Sequence, residues 1–163
     1  MLATRLIPTL IAAAGLAWAA PAIAAEKPVD PYTVSNANAG AQPFTGDQML
    51  AAFHGQAGVA RVVDRMVDLS VADPRLAEIF HATDLERLRR TLKEQFDYLL
   101  GAGVDYTGRD MKTAHKDQGI NTAEFNALVE NLQKAMDQEG VAFRAQNQLL
   151  AKLAPMHRDV VTR

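Results

Sequence analysis

From Asp47 onward, apolar residues recur at three- and four-residue intervals, the spacing of one buried face of an α-helix. Met49, Leu50 and Phe53 make a short face that stops at Gly55. Val59, Val62, Val63, Met66 and Ser70 make a longer one, broken at Ala72-Asp73-Pro74, and a short turn carrying Leu76, Ile79 and Phe80 follows. Thr83-Asp84-Leu85-Glu86 has capping-box spacing and opens a helix with the face Leu85, Leu88, Leu92, Phe96 and Leu99, ended by Gly101 and Gly103. Residues 104–109 read as a loop. Asp110 is placed to cap a short helix that carries Met111 and His115 and stops at Gly119. Asn121 and Glu124 start the next helix, with Phe125, Leu128, Val129, Leu132 and Met136 on one face and Gly140 at its end. A last helix carries Leu149, Leu150, Leu153 and Val160, and Pro155 is expected to kink it by removing a backbone donor and crowding the preceding turn. No stretch alternates with period two for long enough to argue a sheet. The fold class is all-α.

The first 45 residues follow another logic. Arg5 is followed by a mainly apolar stretch from Leu6 to Ala20, then by Ala22-Ile23-Ala24, and the first acid is Glu26. A basic start, an apolar middle and small residues at the cleavage positions make residues 1–24 a removable export signal. The run of about 15 residues falls short of the roughly 20 that span a bilayer, so no stable membrane span is expected once it is removed. The mature protein is therefore expected to be periplasmic or secreted. Residues 25–45, rich in Ala, Asn and Pro, read as a flexible tether, and residues 46–163 as the folded domain.

Composition narrows the chemistry. With 17 basic against 19 acidic residues and no basic block, the chain offers no footprint for nucleic acid. The absence of cysteine excludes iron–sulfur clusters, thiolate zinc and covalent c-type haem, so a cofactor must be held non-covalently or by histidine. It also leaves stability to the apolar core alone. The histidines are His54, His81, His115 and His157. His54, beside Gly55, and His157, after Pro155, have no setting beyond surface or packing roles. His115 sits on a short helix between a Gly-containing loop and a capped helix, on the same face as Met111. Such a residue suits axial ligation of an iron, its second ring nitrogen donating to a helix carbonyl, although spacing alone does not separate a ligand from a packed histidine.

The run Tyr106-Thr107-Gly108-Arg109-Asp110-Met111, continuing through His115 to Gly119-Ile120, resembles the proximal segment of group I truncated haemoglobins. Gly58 to Met66 and Val71-Ala72-Asp73-Pro74-Arg75-Leu76 resemble that family's second helix and following corner. Gly140-Val141 and Leu153-Ala154-Pro155 resemble its last interhelical turn and helix, so the likeness runs from about Asp47 to Val161. It implies a truncated globin, a two-over-two helical sandwich holding haem b, with His115 as the proximal iron ligand. Phe80, Leu88, Leu92, Phe96, Met111, Ile120, Phe125 and Val129 fall on positions that line the haem pocket, where a dry, dispersive lining suits the macrocycle. Arg87, Arg89 and Tyr106 fall at the pocket mouth, placed to hold propionates, with solvated helix-face charge as the plainer role for either arginine.

The chain departs from the family pattern on the distal side. Val67 stands where many relatives place a tyrosine, Leu92 where they often place a glutamine, and Leu88 at the other distal position. Losing a donor to polarised bound oxygen, worth about 1.5–3 kcal/mol, weakens oxygen retention roughly 10- to 100-fold while sparing carbon monoxide. His81 is a candidate donor or sixth iron ligand, and Met66 is a further candidate on that side, with a core role the plainer reading for a Met at helical spacing. The expected function is binding of a diatomic gas (oxygen, carbon monoxide or nitric oxide) in a mostly apolar pocket. A peroxidase-like or nitric oxide dioxygenase haem enzyme is disfavoured by the lack of a distal acid–base group. A haem-free globin-shaped interaction module is the third class. The sequence names no redox partner.

Overall fold

The computed structural model of the chain describes residues 25–163; the expected export signal, residues 1–24, lies outside the described residues. Among the described residues, eight α-helices follow in chain order: α1 (Gln48–Ala52), α2 (Gly55–Ala72), α3 (Ala77–His81), α4 (Leu85–Leu100), α5 (Met111–His115), α6 (Thr122–Gln138), α7 (Phe143–Leu153) and α8 (His157–Val160). Helix α2 packs on both α4 and α6, and α6 packs on α7, which makes two layers of two helices. The stripe on α2 faces inward: Val59, Val62, Val63, Met66, Val67 and Ser70 are all buried. The apolar ones share one core with Phe96 and Leu100 of α4, Leu132 and Met136 of α6, and Leu149 of α7. Each such side chain contributes about 1.5–3 kcal/mol by leaving water, the main source of stability for a domain without disulfides. Among the described residues, no helix is long and apolar enough to cross a membrane.

The helix ends follow local chemistry. Asn121 accepts from the Glu124 amide while Glu124 accepts from the Asn121 amide, a complete capping box on α6. The capping box expected at Thr83 is different. Asp84 is the N-cap of α4 and accepts from the Arg87 amide, while the Thr83 hydroxyl donates back to the Ile79 carbonyl 2.7 Å away. The acid directly before the first helical residue reaches the free amides, and Thr83 closes the α3 corner instead. Where a kink at Pro155 is expected within one last helix, α7 ends at Leu153 and a single 3-10 turn over Ala154–Met156 separates it from α8.

The stretch read from composition as a flexible tether is docked along the domain. The Tyr32 hydroxyl donates to the Thr107 carbonyl at 2.8 Å, and the Phe44 amide donates to the Leu99 carbonyl at 2.8 Å. Asn36 donates to Asp105 and accepts from the Tyr106 amide at 2.8 Å, at the start of a 3-10 turn over Asn36–Ala39 whose last residue is fully buried. Polar side chains here satisfy the backbone of the facing loop, residues 101–110. Such pairing needs no apolar period, which is why the pattern of the sequence does not announce it.

Candidate functional site

A cavity of about 600 Å³ opens between α4 and α5, within the range of cofactor and small-ligand pockets. Helix α4 contributes Arg87, Leu88, Thr91, Leu92 and Gln95, three or four residues apart and so on one face. Helix α3 contributes Ile79, the α5 segment Met111, Ala114 and His115, and the preceding loop Tyr106. Behind Leu88 and Leu92 lies the main core. Below the cavity, Met111 and Tyr106 belong to a second buried cluster with Leu99, Ile120, Met156 and Val160, against which Ile79 and Phe125 pack.

His115 is held by the shortness of its helix. Asp110 caps α5 by accepting from the Thr113 amide at 2.9 Å, and Met111 anchors the first turn in the second cluster. His115 Nδ1 lies 2.7 Å from the Met111 carbonyl oxygen. A carbonyl only accepts, so Nδ1 carries the proton and Nε2 keeps its lone pair. Burial pushes the His115 pKa below the ordinary histidine value, against the opposing pull of the Met111 carbonyl. A neutral imidazole with a free Nε2 on a cavity wall is the form that ligates a metal. Among the described residues, no cluster of three or more His, Cys, Asp or Glu offers a metal cage.

The other polar groups on the wall are largely occupied. Gln95 donates to the Ala39 carbonyl at 2.9 Å, and the Thr91 hydroxyl donates to the Arg87 carbonyl at 2.9 Å. The Tyr106 hydroxyl donates to the Arg109 carbonyl at 3.0 Å, and burial pushes its pKa up to about 12. Its ring lies so close to Gly108 that a Cβ there would sit 2.1 Å from the hydroxyl oxygen. Arg87 is the exception. Its Nη2 donates to the Lys27 carbonyl, but its buried Nε has no hydrogen-bond partner among the described residues.

Of the residues singled out in the sequence, the cavity wall brings together Leu88, Leu92, Tyr106, Met111, His115 and Arg87. Arg89 is elsewhere. Two residues beyond Arg87 is some 200° around a helix, so it faces α2 and pairs with Asp64 and Asp68. The same rotation turns His81 away from Ile79: it is exposed and lines no part of the cavity. Phe80, one residue from Ile79, packs against the main core. Met66, Val67 and Phe96 are inside that core, behind the leucine wall; Ile120 and Phe125 belong to the second cluster, and Val129 is half-buried on α6. His157 packs edge-on against Phe125 at 4.9 Å, and His54 Nε2 lies 3.2 Å from the Glu139 carbonyl. The sequence reading missed Ile79, Thr91 and Gln95. Gln95 continues the 88–92 stripe at the next helical step and was legible from spacing; Lys27, Pro28 and Val29, also on the wall, carry no local signal.

Residues 49–162 match the family described as bacterial-like globin. The chain is 30% identical over 101 residues to the group 1 truncated hemoglobin GlbN of Mycolicibacterium paratuberculosis, covering 62% of this chain and 74% of that protein. It is also 30% identical over 117 residues to the Synechocystis protein of the same name, covering 66% and 91%. Its fold superimposes on the truncated hemoglobin of Tetrahymena pyriformis with a TM-score of 0.67 at 23% identity, over 71% of this chain and 98% of that one. The 2/2 hemoglobin of Synechococcus gives 0.65 at 23% identity over the same shares. The chain belongs to the bacterial-like globins, and within them to the group 1 truncated haemoglobins.

Proposed function

We propose that the protein is an exported truncated haemoglobin that holds haem b in the α4–α5 cavity through His115 and binds a diatomic gas. The observation that carries this reading is the His115 ring, with Nδ1 tied to the Met111 carbonyl at 2.7 Å and Nε2 left to a metal on the wall of a cavity that Ile79, Leu88, Leu92 and Met111 also line. The residues present fit the group. Leu88, Leu92, Ile79 and Met111 offer the dispersive faces a porphyrin needs, and Arg87 Nε, without a hydrogen-bond partner among the described residues and 3.8 Å from Asp84 Oδ2, offers a charged donor to a propionate. When bound, haem supplies an iron with an open coordination position for the gas.

The chain's own residues set how that position behaves. His115 keeps its proton on Nδ1 and so presents one defined nitrogen. Leu88 and Leu92 exclude water from the wall and bring no hydrogen-bond donor to a bound gas. Val67, in the packed core, adds none. Carbon monoxide is therefore expected to bind well and oxygen to leave quickly.

The test is a titration of the purified protein with haemin, followed by spectra of the ferric and ferrous forms and of the carbon monoxide adduct. A stoichiometric Soret band and a ferrous carbon monoxide complex support the reading; a protein that stays colourless after haem addition overturns it. Export is checked by intact mass of the protein from the periplasmic fraction: a chain beginning at Ala25 supports removal of residues 1–24, and a full-length chain there refutes it.

A further inference from the structure

The outer wall of the cavity is not made by a helix. Lys27, Pro28 and Val29 line it beside Arg87, Leu88 and His115. Apolar packing does not hold this segment in place, because Val29 is 44% exposed. Polar contacts to α4 hold it. The Lys27 amide donates to Asp84 Oδ2 at 2.7 Å, and Arg87 Nη2 donates to the Lys27 carbonyl. The Glu26 carboxylate accepts from both Nε and Nη2 of Arg90, a two-pronged ion pair. Arg90 Nη1 donates in turn to Glu94 and to the Thr107 hydroxyl, each at 2.8 Å. Glu94 also accepts from the Thr107 amide at 3.0 Å and its hydroxyl at 2.6 Å. One network thus ties the segment to α4 and to the loop that leads into the His115 helix.

Val29, half-exposed, and Arg87, whose buried Nε has no hydrogen-bond partner among the described residues and lies 3.8 Å from Asp84 Oδ2, both line the cavity. Both gain from an occupant that is apolar across its face and anionic at its edge: Val29 gains cover, and Arg87 Nε gains an acceptor closer than Asp84. We propose that Glu26–Val29 is a latch across the cavity mouth that retains the bound haem, with the Glu26–Arg90 ion pair as its catch. The inference rests on the haem-binding reading above. It adds that residues outside the globin helices set how fast the cofactor is lost. Because the ion pair is partly exposed, salt weakens the catch.

The experiment measures transfer of haemin from the loaded full chain to excess apomyoglobin, for the unaltered protein and for Glu26→Gln and Val29→Ser. Arg61→Ala is the control; it breaks an ion pair to Glu139 away from the cavity. Transfer should be roughly three- to tenfold faster for Glu26→Gln and also faster for Val29→Ser, with Arg61→Ala unchanged. Raising salt should speed loss from the unaltered protein and leave Glu26→Gln almost unaffected. Hydrogen exchange of the Lys27 amide supplies a readout independent of the haem spectrum. It should be faster in Glu26→Gln and slowed by haem in the unaltered chain. Equal transfer rates for the unaltered protein and both variants, with haem tightly bound, overturn the latch alone. Failure of the unaltered chain to bind haem overturns the functional reading and the latch together.

Discussion

His115 and Leu92 line one cavity from different helices, and each tests a different part of the proposed function. The imidazole is half-buried with Nδ1 tied to the Met111 carbonyl, and among the described residues it is the only histidine on the cavity wall. His115→Ala should lower haem affinity by more than the roughly 10- to 100-fold that losing an outer partner of a metal ligand costs, or shift the ferrous spectrum to a different axial state. Haemin titration of the variant checks this, and an unchanged ferrous spectrum would remove His115 from its role. Leu92 tests the other wall. Leu92→Gln places an amide donor where the cavity has an apolar chain. If bound oxygen gains a hydrogen bond, its release slows about 10- to 100-fold while carbon monoxide release changes little. Stopped-flow oxygen displacement measures both, and equal oxygen release rates would show that this wall does not face the gas.

At the scale of elements, α5 is the vulnerable one. A five-residue helix cannot hold itself, and this one depends on the Asp110 cap and on Met111 in the second cluster. Asp110→Ala should cost about 1 kcal/mol, a drop in Tm of about 2–4 °C in thermal melts, and should broaden the axial geometry seen in the ferric spectrum. The cap was legible in the sequence because Asp110 lies directly ahead of the segment and Thr113 three residues on. So was the α6 capping box. The Thr83 box was not: two adjacent side chains competed for the same free amides, and only the α3–α4 corner settles which of them reaches.

Across the whole molecule, charge clusters join elements that the pattern treats as separate. Arg75 pairs with Asp73 at 2.7 Å and with Glu130 of α6 at 2.8 Å, and Asn131 also donates to Asp73. Side-chain hydrogen bonds from Arg75, then the Arg75 amide, hold the Asp73 carboxyl far below the ordinary aspartate range. A depressed folded-state pKa adds stability above the unfolded value of about 3.9, and that stability is lost as pH falls through the folded value. Asp73→Asn should therefore lower Tm at neutral pH and flatten the further loss of Tm below about pH 4. Melts between pH 2 and 7 compare the two slopes, and parallel curves would show that the corner does not titrate with folding.

The helices, their order and the His115 segment follow from spacing and caps alone, because apolar period and end-capping are local properties of the chain. Rotational position around a helix is nearly as local. It separates Arg87 from Arg89 and Ile79 from His81 once one neighbour's direction is known, but the sequence does not say which neighbour faces the cavity. Long-range placement is a different matter. Residues 25–45 look like a tether because polar side chains pairing with a distant backbone leave no period, and the wall made by Lys27, Pro28 and Val29 exists only after α4 and the 101–110 loop are in place. The cavity as a volume has the same origin: six of its predicted residues sit together only because α4, α5 and the loop before α5 line one space, with Met111 and Tyr106 held in the second cluster.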